Sequence, residues 1–570
     1  MVNSKKFLLI SILILSLFSG CNLKGSLEPT QPSEMKDTVS TTETLSSTES
    51  SPTQEEVVDL QKNWWTDAVF YEIFVRSFND SNGDGIGDFQ GIIQKLDYLN
   101  DGDPETDSDL GITAIWLMPI NPSPSYHGYD ITNYLAVNPD YGTMEDFKQL
   151  LSEAHRRGIH VIMDFVINHT SDKNPWFVEA KNVDSGFHDW YVWSEKKPAA
   201  LGPWGANAWY QASNGLYYYA IFWSGMPDLN FKNAQVNTTL FNTTRFWLDT
   251  VGVDGFRVDA ARYLYGEFGM QQDTEETITW FKSWREVVKG TNPDAFTVGE
   301  VWTDVKTQSR YGGGTGLDSL FIFDLSEALI GSVFAPVPLR IIGAYQDAIY
   351  YFPDQQFSTF LTNHDQQRVM SFFGGNVDKA KISAFIYLTG PGIPFLYYGE
   401  EIGMTGSKPD EFIRTPMQWS GGSNAGFSSG KPWEAVNADY LNFNVADEEA
   451  DPDSLLNLYK DIIKLRNDHI ALRTGEYLPL ETSCQQLYPI LRVEDYEVIL
   501  SIVNIGRRQM ENCTLSIGAS PQNGTYEGEL LFGQGDLGSI KFNPDGSLEN
   551  FLIPFNFEPG QMAVFELHAK

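Results

Sequence analysis

Three acidic residues stand just past short apolar runs. They are Asp259 in Gly-Phe-Arg-Val-Asp-Ala-Ala-Arg (255–262), Glu300 in Val-Gly-Glu-Val-Trp (298–302) and Asp365 in Leu-Thr-Asn-His-Asp (361–365). Each run has the length and composition of a buried β-strand. Carboxyl groups at the ends of separate strands of one parallel sheet supply the parts for acid, base and nucleophile work. An ionised carboxylate attacks, and a carboxyl kept protonated by neighbouring negative charge donates. Arg257 lies two residues before Asp259 and therefore on the same face of its strand. A guanidinium fixed there is expected to keep Asp259 ionised and to aim it.

The elements that must position these acids follow from the alternation of patterns. Strand-like apolar runs occur at 69–78, 112–119, 160–167, 255–260, 296–301, 320–325, 357–362 and 393–398, with amphipathic helical stretches such as 143–157 and 274–288 between them. Short buried runs alternating with helices predict a parallel α/β sheet. Eight of them fit a closed (β/α)8 TIM barrel, whose catalytic groups sit at the carboxyl ends of the strands.

One connection is too long for a simple loop. Between His169 and Gly255 the chain carries Trp176, Trp190, Trp193, Trp204, Trp209 and Trp223. This reads as a small domain inserted after the third strand and overhanging the catalytic face, with most of its aromatics packing that domain. The helical stretch 454–469 should close the barrel. Beyond about residue 475, short strands such as 496–504 alternate with Gly, Asn and Pro turns, the pattern of an antiparallel β-sandwich. The expected domains are a signal segment (1–21), a tether (22–62), the barrel in two parts (63–169 and 232–472), the inserted domain (170–231) and a carboxyl-terminal β-sandwich (473–570).

Composition bounds the function. A formal net charge of −36 over 570 residues argues against a nucleic-acid partner, because phosphate binding needs clustered Lys and Arg. Lys5 and Lys6 precede an apolar run at 7–18 that is too short to span a bilayer. Ser19-Gly20-Cys21 then resembles a bacterial lipoprotein cleavage box, although Phe18 stands where that box usually has Leu. Cleavage there puts a lipid on Cys21 and anchors the protein to a membrane outside the cytoplasm; the alternative is an ordinary secretory signal with an incidental Cys. The Ser, Thr, Glu and Pro that follow cannot bury a core and read as a disordered tether. Cys484 and Cys513 either form a disulfide in an exported protein or remain two free thiols, and the sequence leaves both open.

Glycosidic cleavage with retention needs a carboxylate nucleophile and a second carboxyl roughly 5–5.5 Å away that protonates the leaving oxygen. The chain resembles glycoside hydrolase family 13, the α-amylase family, over nearly all of residues 63–570. The resemblance rests on Asp164-Phe-Val-Ile-Asn-His169, on 255–262, on Glu300-Val-Trp302 and on Asn363-His-Asp365, in that order. Gly111-Ile-Thr-Ala-Ile-Trp-Leu-Met-Pro119 and Gly392-Ile-Pro-Phe-Leu-Tyr-Tyr-Gly-Glu-Glu401 match as well. It implies a barrel with an inserted domain B and a carboxyl-terminal β-domain. It also implies Asp259 as nucleophile, Glu300 as general acid/base, and Asp365 as the group that holds the distorted sugar. His169, His364 and Arg257 match positions that contact the sugar being cleaved, and Tyr129 matches an aromatic that stacks beneath it.

Within the family, Met226-Pro-Asp-Leu-Asn230 resembles a group intermediate between oligo-1,6-glucosidases and neopullulanases. Arg414 and Asp130 resemble a pair that, in oligosaccharide-cleaving members, joins and binds the terminal glucose. Ala260 instead resembles enzymes acting on α-1,4 bonds. The reading is a monomeric, envelope-anchored α-amylase cutting internal bonds of starch and maltooligosaccharides, with some transglycosylation. An exo-acting α-glucosidase or oligo-1,6-glucosidase is the alternative. A glycan-binding protein with a dead barrel usually loses one of the acids, and this chain keeps all three.

Asp80-Ser-Asn-Gly-Asp-Gly-Ile-Gly-Asp88 places oxygen donors on alternate residues with glycines for tight turns, as a hard cation such as Ca²⁺ requires. Asp80, Asn82, Asp84, the Ile86 carbonyl and Asp88 are the expected ligands of a structural calcium ion. No Glu stands at the twelfth position, so the loop is not an EF-hand. Asn168 and Asp228 match two ligands of a second calcium site that joins domain B to the barrel in many amylases and is often missing from the oligo-1,6-glucosidase side.

Overall fold

A computed structural model describes residues 64–570 apart from 105, 204 and 267–270; the expected signal segment, Cys21, the tether and Trp204 lie outside the described residues. Eight parallel strands run in ring order: Phe70–Ile73, Ala114–Leu117, His160–Phe165, Gly255–Val258, Phe296–Gly299, Ser319–Leu320, Ser358–Phe360 and Ile393–Tyr397. The first strand pairs with both the second and the eighth, setting Phe70 beside Ala114 and Phe395. The ring closes between the sixth and seventh strands through a Phe321–Ser358 bridge and an Ile322 N–H that donates to the Ser358 carbonyl at 3.1 Å.

The observed strands are shorter than the apolar runs that announced them, because the last residues of each run already belong to the loops that carry chemistry. The expected strand at 320–325 is the clearest correction. Only Ser319–Leu320 is strand, and Phe323–Ser332 is a helix that buries Phe323, Leu325 and Leu329. Five of the six residues from Leu320 to Leu325 are apolar, too short a run to separate a buried strand from a buried helix by period, and the exposed Asp324 falls in the first turn of the helix. The helix after the second strand, Met144–Arg156, begins where Thr143 and Asp146 form a reciprocal capping box.

The insertion after the third strand carries the helix Pro175–Ala180 and a small antiparallel sheet of Trp193–Ser194, Tyr217–Tyr219 and Trp209–Gln211. Its aromatics mostly pack one another: Trp176 lies 5.0 Å from Trp190, and Phe177 4.9 Å from Tyr218, between ring centres. Trp223 departs from this pattern and is half exposed.

After the helix Leu455–Asp468, a six-stranded antiparallel sheet faces a three-stranded one. Leu491, Leu500 and Phe565 of the larger sheet pack against Leu515 and Leu548 of the smaller. Cys484 and Cys513 form a disulfide beside the strand Thr514–Ile517, which resolves what the sequence left open.

Candidate active site

Alternation along the barrel strands builds the site in layers. Phe70, Ala114, Trp116, Ile162, Phe296 and Val298 face the barrel interior and pack with Phe321, Phe360 and Phe395 as an aromatic plug. One step of two residues further along the same strands come Glu72, Asp164, Arg257 and Glu300, with Asp259 beyond Arg257. A charged layer therefore rests on a dry one. Gly255 begins its strand where a Cβ would stand 1.9 Å from the Phe296 carbonyl oxygen, so no larger residue lets these strands approach.

Arg257 organises this layer. Its Nη1 lies 2.9 Å from Asp164 Oδ1 and 3.0 Å from Asp259 Oδ1, and its Nη2 pairs with Glu300 Oε2. One fully buried guanidinium thus joins three carboxyl groups. Burial pushes the Glu300 carboxyl up to about 7, with Arg257 pulling it down and the charges of Asp259 and Asp365 pushing it up. The sequence pointed to neighbouring charge as the cause; burial is the larger one. Burial likewise pushes Asp164 up to about 6 against the pull of Arg257, and the Tyr129 hydroxyl donates to Asp164 Oδ2 at 3.0 Å.

A second network holds Asp365. His364 Nδ1 bonds Glu72 Oε1, while its Nε2 lies 3.2 Å from Asp365 Oδ2 and 2.6 Å from the Tyr129 hydroxyl. Burial alone lowers the imidazole pKa, but Asp365 and Glu72 outweigh it and push His364 up to about 9. Burial would raise the Asp365 carboxyl, yet His364 and Arg414 hold it well below the usual carboxylate range. Arg414 Nη2 lies 2.8 Å from Asp365 Oδ1, and its Nε donates to the His364 carbonyl at 2.9 Å.

The Arg414–Asp130 pair implied by the resemblance is not the one formed. Arg414 takes Asp410 at 3.3 Å as its second acid, and Asp130 Oδ1 accepts the hydroxyls of Ser123, at 2.5 Å, and Ser125. Serines two residues apart satisfy Asp130 locally, while Arg414 is already committed to Asp365 and the His364 carbonyl.

Asp259, Glu300 and Asp365 line one cleft of about 680 Å³, together with Tyr129, His169 and Arg414. The inserted domain overhangs it with Phe222, Trp223 and Met226, and Ala260, Tyr263 and Trp302 complete the wall. A larger cavity of about 1470 Å³, bordered by Phe334, Leu339 and Arg507, contains none of the three acids. His169 is buried, with Nε2 3.1 Å from the Tyr129 carbonyl, and burial lowers its pKa. The sequence reading missed Glu72 as a partner of His364 and Asp164 as a partner of Arg257. An acid inside an otherwise apolar strand, as in Phe70–Ile73, is the signal that marks the first, since a buried charge must be paired.

In the loop from Asp80 to Asp88, Asn82 Oδ1 accepts the Asp84 N–H at 2.9 Å and Asp84 Oδ1 accepts the Ile86 N–H at 2.8 Å. Asp88 caps the helix Phe89–Ile93 by accepting the Gly91 N–H at 2.6 Å. These oxygens keep lone pairs for a hard cation, so the donor chemistry fits calcium. Asp80 accepts the N–H groups of Asn82, Gly83 and Gly85 and the Ser428 hydroxyl, which fills its four acceptor positions. It reaches a cation only by releasing one of them. At the other expected position, Asn168 Nδ2 donates to Asp228 Oδ2 at 3.1 Å. Asn168 Oδ1 is buried without a hydrogen-bond partner, and burial pushes Asp228 up to about 7. An orphaned oxygen beside a buried acid fits a cation in donor type. Among the described residues, no three His, Cys, Asp or Glu side chains gather as a metal cluster.

Residues 72–475 match the family model described as the alpha-amylase catalytic domain. "Alpha-amylase 3" of Dictyoglomus thermophilum is 42% identical over 450 residues, covering 78% of this chain and 86% of that protein. "Probable oligo-1,6-glucosidase 2" of Bacillus subtilis is 33% identical over 529 residues, covering 79% of this chain and 92% of that one. Among solved structures, the alpha-amylase from H. orenii is 39% identical and aligns with a TM-score of 0.76, over 88% of this chain and 99% of its own.

Proposed function

The chain belongs to the α-amylase family of glycoside hydrolases, and we propose that within it this protein is a retaining hydrolase of internal α-1,4 bonds in starch and maltooligosaccharides. The observation that carries the mechanism is the Arg257 guanidinium set between Asp259 and Glu300. Arg257 aims Asp259 at the anomeric carbon, and burial keeps a proton on Glu300 near neutral pH. Asp259 attacks as Glu300 protonates the leaving oxygen; water, deprotonated by Glu300, then releases the sugar from Asp259. An acceptor sugar in place of that water gives transglycosylation. Asp365, braced by His364 and Arg414, holds the hydroxyls of the distorted ring, and Tyr129 and His169 hold its faces and edges.

Internal cleavage is favoured by the commitment of Arg414 to Asp365 and Asp410, which leaves it without the Asp130 pairing that binds a terminal glucose in the oligosaccharide-cleaving members. Ala260, on the cleft wall, supports the α-1,4 choice. An exo-acting α-glucosidase or oligo-1,6-glucosidase is the second reading, favoured by the 33% identity to an oligo-1,6-glucosidase. Starch viscosity separates them. Internal cleavage lowers viscosity before much glucose appears; exo cleavage releases glucose while viscosity stays high.

We further propose a structural calcium ion held by Asn82, Asp84, the Ile86 carbonyl and Asp88, with Asp80 arranging the loop, and a second ion at Asn168 and Asp228. When bound, such an ion would stiffen its loop without entering the chemistry. The basic-apolar-Cys21 segment supports export as a lipoprotein tethered to the cell envelope.

A further inference from the structure

Arg414 braces Asp365 at the cleft, and three residues behind the cleft wall hold Arg414 in turn. Ser77 lies just past the first barrel strand, Tyr126 in the loop after the second, and Trp433 in the long excursion after the eighth. The three do not line the cleft. The buried Ser77 hydroxyl donates to the Arg414 carbonyl at 2.6 Å and accepts the Trp433 indole N–H at 3.0 Å. The Trp433 ring stacks on Tyr126, with 5.2 Å between centres and 23° between planes. The Arg414 guanidinium lies over the same Tyr126 ring, 6.0 Å from its centre. Trp433 therefore reaches Arg414 twice, at the backbone through Ser77 and at the side chain through Tyr126.

Trp433 is itself pinned. Its N–H donates to the Gly85 carbonyl at 2.8 Å, and Phe74 meets its ring edge-on at 5.9 Å. The two loops approach so closely that a Cβ on Gly85 would stand 1.9 Å from the Lys431 carbonyl oxygen. Arg76 adds its guanidinium over the indole at 5.9 Å. Such bracing matters because a misplacement of about 1 Å in a group that orients substrate can cost about a hundredfold in rate. We propose that Trp433 is a positioning residue for the reaction: acting through Ser77 and Tyr126, it sets the place of Arg414 and so of Asp365 against the distorted sugar. The proposal rests on the hydrolase reading above and adds to it a residue that does not touch the sugar.

A double-mutant cycle with Arg414 tests it, read as initial rates on an aryl α-maltoside. Trp433→Leu is expected to lower kcat about tenfold with KM changed less than about twofold, because Asp365 acts on the distorted ring. Trp433→Phe keeps a flat ring against Tyr126 but loses the N–H to Ser77, and should lose about threefold; it carries the cycle if the Leu variant does not fold. In an Arg414→Ala background the Trp433 change should cost less than about twofold. Arg414→Lys, which keeps the cation without the planar fork, is the background with the same expectation if the Ala variant does not fold. Loss by the same factor in both backgrounds, a loss confined to KM, or full activity without the indole overturns the proposal and leaves the hydrolase reading standing. If the parent protein hydrolyses no α-glucoside, both fall.

Discussion

Arg257 Nη1 lies 3.0 Å from Asp259 Oδ1, and both residues are set on the fourth barrel strand and its immediate end. Two positions of alternation bring cation and carboxylate to the same face, and total burial of Arg257 fixes the contact. Removing the guanidinium leaves the Asp164 and Asp259 carboxylates buried without their counter-charge. Arg257→Met is therefore expected to lower kcat/KM at least a hundredfold and to destabilise the fold by about 3–5 kcal/mol. Activity on maltotriose and urea denaturation read the two effects separately.

Glu300 supplies the proton, so the pH profile follows its state. Its folded pKa is raised to about 7, and kcat/KM is expected to fall as pH rises through about 7 and the acid is lost. Glu300→Gln should abolish that limb. It should cost about a thousandfold on maltooligosaccharides and far less on an aryl glucoside whose leaving group needs no proton. An equal loss on both substrates removes Glu300 from the acid role.

Glu72 acts on the reaction through His364. With Glu72 replaced by Gln, the imidazole loses one of the two carboxylates that push it up to about 9. A raised folded pKa contributes stability that is complete below the ordinary histidine range and disappears as pH rises through the folded value. Glu72→Gln should lower the His364 pKa, seen by NMR titration. It should also reduce stability below about pH 9 and cut kcat/KM about tenfold, because Asp365 loses a charged partner.

A buried acid far from the chemistry sets part of the stability profile. Glu400 Oε1 accepts the hydroxyls of Tyr387 at 2.9 Å and Tyr459 at 2.8 Å, while its Oε2 has no hydrogen-bond partner. Burial pushes this carboxyl up to about 8. The folded state then holds a proton that the unfolded chain has already released, so stability falls as pH rises from the ordinary glutamate range to about 8. Glu400→Gln keeps the acceptor without the charge. Its melting temperature should exceed that of the parent by about 2 °C or more at pH 9, with the gap closing toward pH 5. Scanning calorimetry across that range checks it, and a gap independent of pH contradicts the assignment.

The catalytic layer was legible in the sequence because each of its acids follows a short apolar run, and alternation alone places Arg257 beside Asp259. The barrel was legible for the same reason. Its sixth strand was not, because the run from Leu320 to Leu325 is too short to show a period, and past Leu320 the chain turns into the helix that starts at Phe323 and exposes Asp324. Partners from distant strands were also hidden. Glu72 meets His364 across 292 positions of sequence, a distance that no local pattern encodes. Asp130 is the opposite case: its Oδ1 takes the nearby Ser123 and Ser125 hydroxyls, while Arg414 pairs with Asp365 and Asp410. Cys484 and Cys513 could be joined only once the fold placed their strands together.

Trapping the covalent intermediate tests the account most directly. Incubation with 5-fluoro-α-glucosyl fluoride, followed by proteolysis and mass spectrometry, should find one glycosylated peptide with the sugar on Asp259. A label on another carboxyl group, or turnover with inversion and no covalent adduct, contradicts the role assigned to Asp259.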